Sequence, residues 1–357
     1  MVMSKEKDRN KIAFVLGGMG NGGAERVVSI LANHYAKKGK SVDIITLLSS
    51  NCTYQLEPNV RLISLARQDK SRKTQLINWI KDIRKYNKEN RPYCIVSFFA
   101  KINIIVLLAL FDRIGDIVVS ERNDPAKDGR GILIRTLTHM LYPKAKKVIF
   151  QTTWAKSCFK EDVRNNSEIV QNPVSEISLE KVKKEKKIVN VGKLLDQKNQ
   201  NLLIRAFAQI SEEFPDHKLV IYGEGANRVE LEKLIKELGL VHRVELPGWI
   251  KDIHRKVAES ELFVLSSNYE GLSNALLEAM MLGIPCISTN CAGSNEVIKT
   301  NVNGFLVETN NLNDLVNKMR YMLEKPSLSK KMGRQGQIDI QELGVTKIIS
   351  KWEDIIG

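Results

Sequence analysis

Ser266-Ser267-Asn268-Tyr269-Glu270-Gly271-Leu272-Ser273-Asn274-Ala275-Leu276-Leu277-Glu278-Ala279-Met280 is preceded by Glu261-Leu262-Phe263-Val264-Leu265 and followed by Met281-Leu282-Gly283-Ile284-Pro285. The leading segment is a short apolar run and reads as a buried strand. Ala275, Leu276, Ala279 and Met280 recur at helical spacing, and Gly283 with Pro285 ends that helix. The order is therefore strand, polar loop, helix. In an open α/β sheet such a loop lies at the carboxyl end of a strand, where ligands bind. It also opens a helix whose first N–H groups lack partners and carry partial positive charge. A phosphate suits that position. Glu270 and Glu278 bracket the loop, and Glu278 follows Asn274 by one helical turn. Such carboxylates suit sugar hydroxyls beside a bound phosphate. They equally suit a helix cap and a solvated helix face.

The same order repeats outward. Lys11–Leu16 reads as a strand, Gly17 to Arg26 as a glycine-rich turn, and Val27–Lys38 as a helix. Glycines there let the backbone approach a ligand closely. No Gly-Lys-Ser/Thr follows, so this is not a Walker loop. Strands follow at Ser41–Leu48, Val60–Leu65, Tyr93–Phe98, Ile117–Ser120 and Lys146–Gln151. Ile117–Ser120 runs into Glu121-Arg122-Asn123-Asp124-Pro125, a polar cluster at a strand end and so a site candidate. His139, on a helix spanning Ile132–Tyr142, reads as structural. Pro173 to Lys187 is polar, ends in a lysine run and reads as a linker. Beyond it, strand Lys187–Val191 leads into Gly192-Lys193-Leu194-Leu195-Asp196-Gln197-Lys198 and a helix at Asn201–Glu213. Two lysines at one strand end can both reach a diphosphate. Strands at Lys218–Tyr222, Arg243–Leu246 and Pro285–Ser288 follow, with helices at Val229–Leu238 and from Leu312 and Lys347.

The chain has 357 residues, enough for two medium domains, and its 43% apolar content is that of a globular protein. The longest apolar run, Ile102–Phe111, is far short of the ~20 residues of a membrane helix. Met1–Asn10 is polar and mixed in charge, unlike a signal peptide. Five scattered cysteines fit a reduced, cytosolic protein better than a disulfide framework. There is no Asp-x-Asp and no Cys/His cluster, so no metal is expected. The net charge is +14. Residues 1–170 hold 30 Lys and Arg against 16 Asp and Glu, while residues 171–357 hold 25 of each. The excess lies wholly in the first half and implies an anionic partner there. Within the basic segment Arg67–Arg91, Leu76, Ile80, Ile83 and Asn87 mark one helical face, with Lys73, Lys81, Arg84, Lys85 and Lys88 around it. That is the pattern of a membrane-surface helix or of a solvated outer helix. Trp79 and Tyr86 lie nearby but do not form stacking platforms in an RNA-binding pattern, which disfavours nucleic acid.

The opening stretch resembles the signature of family 4 retaining glycosyltransferases, E-G-x-x-N-x-x-x-E with a following A-x-x-x-G-x-P at Ala279–Pro285. Further matches are G-G-A-E at Gly22–Glu25, the basic pair Lys193 and Lys198, Gly223-Glu224-Gly225, Pro247-Gly248-Trp249 and Asn303-Gly304. The resemblance implies an α/β fold of the GT-B type, with two Rossmann-like domains facing across a cleft and the last helix returning to the first domain. The boundaries are then 1–172 for an acceptor domain, 173–187 for the linker, 188–345 for a nucleotide-sugar domain and 346–357 for the returning helix. It also implies a donor site of Gly22, Gly23, Gly192, Lys193, Lys198, Gly248, Trp249, Glu270, Gly271, Leu272, Ser273, Asn274 and Glu278. In that family the first Glu meets the donor sugar, the loop amides hold the diphosphate and the second Glu binds the ribose. Lys193, Lys198 and Glu270 are then the residues of the reaction itself. Trp249 sits by the base or in the core. Glu25, Arg122 and Asn123 fall on the acceptor or sugar side. A His common in the family's first domain is absent here. Ser120 to Pro125 instead resembles the S-x-R-N-D-P variant of transferases that build bacterial surface polysaccharides on lipid carriers.

Together these readings predict a metal-independent retaining transferase with no cofactor. It uses a UDP-sugar, with an N-acetylhexosamine as the candidate sugar, and a lipid-linked saccharide acceptor. It would work in the cytoplasm, at the anionic inner face of the membrane. A degenerate binding subunit and a nucleotide-sugar epimerase are the rival readings.

Overall fold

Parallel pairing runs through both sheets of the computed structural model. Its strands are apolar along nearly their whole length, as strands buried on both faces must be. The structure describes residues 8–20, 22–67, 71–179 and 182–357. Asn21 of the glycine-rich turn, residues 68–70 of the basic segment, Glu180 and Lys181 of the linker, and residues 1–7 lie outside the described residues.

The chain forms two compact units, residues 1–172 with 348–357, and residues 173–347. The first unit contains strands β1 (Asp8–Leu16), β2 (Ser41–Thr46), β3 (Val60–Ser64), β4 (Pro92–Phe98), β5 (Ile117–Ser120), β6 (Lys147–Phe150) and β7 (Ser167–Ile169). They are ordered β3-β2-β1-β4-β5-β6-β7. Its helices are α1 (Gly23–Lys37), α2 (Arg72–Asn90), α3 (Ala100–Ala109), α4 (Ile132–Leu141), α5 (Thr153–Ser157) and α6 (Glu161–Asn165).

The second unit has β8 (Lys187–Val191), β9 (Lys218–Tyr222), β10 (Val244–Gly248), β11 (Leu262–Leu265), β12 (Cys286–Thr289) and β13 (Phe305–Val307), ordered β10-β9-β8-β11-β12-β13. Helices α7 (Gln200–Ile210), α8 (Arg228–Glu237), α9 (Ile253–Ala258), α10 (Asn274–Met281), α11 (Ser294–Val297), α12 (Leu312–Glu324) and α13 (Pro326–Ile340) surround it. Helix α14 (Val345–Ile356) hands residues 348 onward to the first unit, where Trp352 is fully buried beside Phe98.

Each sheet reverses its strand order once, between β1 and β4 and between β8 and β11. Loops leaving the carboxyl ends of such neighbours splay apart and leave a crevice for ligands. Gly17–Gly20 and Phe99 sit at the first of these points. Gly192–Lys198 and Ser266–Ser273 sit at the second.

The structure departs from the sequence reading in several places. Helix α1 begins at Gly23, one turn before Val27, which puts Glu25 in its first turn where a carboxylate is favoured. Helix α2 buries Trp79, Ile83 and Tyr86, while Leu76 and Ile77 are exposed, so its inner face is rotated from the expected Leu76-Ile80-Ile83-Asn87 stripe. Tyr86 on that face donates to the buried Asp43 carboxylate at 2.5 Å. Helix α13 was not foreseen. The described part of the expected linker is not a loose tether at its start, because Val174 is buried and its N–H donates to Leu343 O at 2.8 Å.

Candidate functional site

In the second unit, β11 ends at Leu265 and the chain dives into a buried polar loop. Ser266 and Ser267 are fully buried, and Glu270 is only 7% exposed. Burying a carboxylate is costly unless it is paired and hydrogen-bonded. Glu270 has both: Lys198 Nζ pairs with its Oε1, and Ser267 Oγ donates to the same oxygen at 2.7 Å. Lys198 is delivered by the β8–α7 turn, which is stitched to the loop. Asn268 N–H donates to Gln197 O at 2.8 Å, Asn268 Nδ2 to Asp196 O at 2.8 Å, and Ser266 Oγ to Lys198 O at 3.0 Å. A Cβ at Gly192 would come within 3.3 Å of Lys198 Cε, so the lysine stem runs close against the bare backbone there. A Cβ at Gly293 would stand 1.8 Å from Gly271 O, so the loop's approach requires glycine there. Lys193 is exposed, and its carbonyl is held by Gln200 Nε2 at 3.0 Å.

Gly271, Leu272 and Ser273 lead into α10, whose N-cap Ser273 makes no side-chain cap. Asn274 opens the helix and Glu278 follows one turn on. Glu278 Oε2 lies 3.0 Å from His254 Nε2 on α9. Sequence reasoning missed His254, because its partner is 24 residues away and a lone histidine carries no motif. His254 holds one carboxylate oxygen and so fixes how the other is presented. Gly248 ends β10, and Trp249 beyond it is 61% exposed, which rules out its core alternative.

The first unit has its own crevice, a cavity of about 530 Å³ lined by Gly17, Gly18, Gly20, Glu25, Phe99, Lys101, Asn123 and Arg130 among others. Gly22 caps α1, and Gly23 is its first residue. The Glu25 carboxylate folds back to within 2.1 Å of where a Gly22 Cβ would stand. Arg122 differs from its companions. It is 6% exposed, its guanidinium lies 5.0 Å from the Phe98 ring and 5.8 Å from Trp352, and Nη1 donates to Asn172 Oδ1 at 2.9 Å. Burial pushes its pKa down, to about 9. One arm of its guanidinium is thus held in the unit's interior, while Arg122 also lines the cavity beside Asn123. Asn123 remains half-buried on the cavity wall.

Beside Asn123 lies a buried network that sequence did not disclose. Arg130 makes paired hydrogen bonds to Glu121 (3.1 and 2.6 Å) and contacts Asp128 at 2.6 Å, while Tyr142 donates to Glu121 at 2.5 Å. Burial opposes the Arg130 charge, but the two carboxylates outweigh it and raise its pKa. The arrangement fixes the strand-end cluster, and Glu121, Asp128 and Arg130 line the same cavity as Asn123.

Residues 173–339 match the family described as glycosyl transferases group 1. An uncharacterized glycosyltransferase of Haemophilus influenzae is 26% identical over 97% of this chain and 99% of its own. The Campylobacter jejuni enzyme N-acetylgalactosamine-N,N'-diacetylbacillosaminyl-diphospho-undecaprenol 4-alpha-N-acetylgalactosaminyltransferase is 29% identical over 90% of this chain and 92% of its own. Among solved structures, Anabaena HepE in complex with UDP and glucose superposes with a TM-score of 0.82 at 19% identity, over 97% of this chain and 99% of that one. The fold is therefore that of two Rossmann-like α/β domains, as in such GT-B structures.

Proposed function

We propose, from the group 1 glycosyltransferase match of residues 173–339, that this chain transfers a sugar from a UDP-sugar to a lipid-linked saccharide, with retention at the anomeric carbon. The observation that carries the reading is the Lys198–Glu270–Ser267 cluster beside the start of α10. A donor diphosphate there meets Lys198, Lys193 and the first amides of α10, which answer its charge without a metal. Glu278, steadied by His254, is the ribose acceptor of hydrogen bonds. Glu270 stands near the transferred sugar. The acceptor attacks from the face the diphosphate leaves, and a departing phosphate oxygen takes its proton. Catalysis is then mainly orientation and stabilisation of the leaving diphosphate. The N-acetylgalactosaminyl transfer named for the Campylobacter relative makes a UDP-N-acetylhexosamine the first donor to try. The deciding assay offers UDP-sugars with an undecaprenyl-diphosphate saccharide in excess chelator. Transfer that needs added magnesium would remove the metal-free reading, and no transfer from any UDP-sugar would remove the donor.

The first unit carries the lipid side of this reading. No helix among the described residues is long and apolar enough to cross a membrane. Ile132 and Leu133, in the first turn of α4, are 84% and 70% exposed, and Leu48 just past β2 is exposed as well. Of these, Leu48 lines the first-unit cavity. Lys73, Lys81, Lys85 and Lys88 line the exposed side of α2. Arg84 leaves that group, because its Nε donates to Ala109 O at 2.8 Å and so helps end α3. Each lysine near an anionic bilayer contributes ~1 kcal/mol at most, reduced by salt. Changing all four lysines to Gln is expected to weaken binding to anionic vesicles about tenfold while donor hydrolysis persists. Vesicle sedimentation checks it, and equal binding to neutral and anionic vesicles would take electrostatics out of the account.

A further inference from the structure

Phe99 stands directly after β4 with φ +73° and ψ 136°, a backbone region that side-chain-bearing residues rarely adopt and glycine tolerates. Its surroundings hold it there. The Phe99 N–H donates to Ser120 O at 3.0 Å, and its carbonyl accepts from Asn103 N–H at 2.9 Å. Asn103, fully buried, also donates through Nδ2 to Ser120 O at 3.2 Å. Both backbone groups of Phe99 are thus tied to fixed elements.

The side chain does nothing for the core in return. Phe98, its neighbour, is fully buried, whereas Phe99 is half-buried and lines the cavity at the sheet's reversal point with Gly17, Gly18, Lys101 and Asn123. A strained position that keeps an aromatic ring where glycine would sit without strain calls for a use of the ring. The wall around it is mixed. Phe99 brings an aromatic ring to it, Leu48 and Ile102 add aliphatic surface, and Glu25, Lys101, Arg122 and Asn123 are polar groups of the same wall. A pyranose has the matching character, with an apolar face of C–H bonds and an edge of hydroxyls.

We propose that the Phe99 ring is a packing surface for a pyranose ring bound in the first unit. The inference rests on the transferase reading for its choice of ligand. It goes further by naming the contact residue and the chemistry of the contact.

The test uses the whole chain and three variants, F99G, F99A and F99Y. F99G is expected to melt at or above F99A, because glycine alone relieves the positive φ. F99G and F99A are each expected to lose at least tenfold in transfer, while F99Y stays within threefold of wild type. Donor hydrolysis without acceptor locates the sugar. If F99G lowers it equally, the ring holds the transferred sugar, and if it is spared, the ring holds the acceptor. Saturation-transfer NMR with methyl N-acetyl-α-galactosaminide, irradiating aromatic protons, reads the contact without turnover. Wild type should pass saturation to the sugar C–H protons, and F99G should pass at least fivefold less. Equal saturation in wild type and F99G, or none in wild type, overturns the proposal even if transfer from a UDP-sugar is intact. Absent transfer with saturation lost in F99G would sink the reaction assignment and leave the ring contact standing. F99G melting well below F99A would make Phe99 a structural residue and overturn it as well.

Discussion

Lys198→Ala is expected to lose at least a hundredfold in turnover of the sugar donor. Two effects add. A charge-assisted hydrogen bond to the donor diphosphate, worth ~1.5–3 kcal/mol, disappears. The Glu270 carboxylate, buried and paired with Lys198 in the absence of donor, is also left to repel the incoming diphosphate. A combined loss of ~3 kcal/mol in the transition state is about a hundredfold in rate. The variant also leaves a buried charge without its partner, and breaking such pairs costs ~3–5 kcal/mol of stability. The lower end applies here, because Ser267 Oγ still donates to Glu270. Kinetics well below the melting temperature separate the two effects. Unchanged kinetics would reduce Lys198 to a structural partner of Glu270. Lys198→Ala with Glu270→Gln should recover stability but not turnover.

Glu270→Gln is expected to cut the turnover number by ~10²–10³, the loss typical of removing one preorganised electrostatic group, with the donor Michaelis constant changing only severalfold. Glu278→Gln should do the reverse and act mainly on the Michaelis constant. The contrast matters more than either value. Both carboxylates belong to one loop and helix, and a general weakening of that element would move them together. A Glu270→Gln enzyme with full activity would remove this loop from the chemistry.

The sequence carried the strand-loop-helix order around Glu270 because three local signals coincided there: an apolar run, a polar loop and a helix ended by Gly283 and Pro285. Lys198 was legible for the same reason, since it sits at the end of the next apolar strand. What was hidden depended on partners far apart in the chain. His254 meets Glu278 from another helix, and Arg130 meets Glu121 in the wall of the first cavity. Helix α13 was hidden by its own mode of packing. A Cβ at Gly333 would lie 2.3 Å from Gly283 O, so part of this helix's contact, beside buried Met332 and Ile340, is made by bare backbone. Hydrophobic periodicity cannot register a contact made by missing side chains. The inner face of α2 is the stripe Trp79, Ile83 and Tyr86, which competes in the sequence with Leu76, Ile80 and Ile83 at equal spacing, and Tyr86 also meets the buried Asp43 carboxylate.

The last helix has a consequence for how the protein is made. The first unit is not contiguous in sequence, because residues 173–347 are synthesised before the segment from Ile348 that completes it. Until Trp352 arrives, one face of Phe98 and the buried Arg122 guanidinium lack their cover. At ~5–20 residues per second, the ribosome needs roughly 10–35 s to make the intervening stretch. The half of the chain born first is therefore the half finished last. During that interval the second unit can fold to completion, while the first waits with an uncovered aromatic floor that chaperones would recognise.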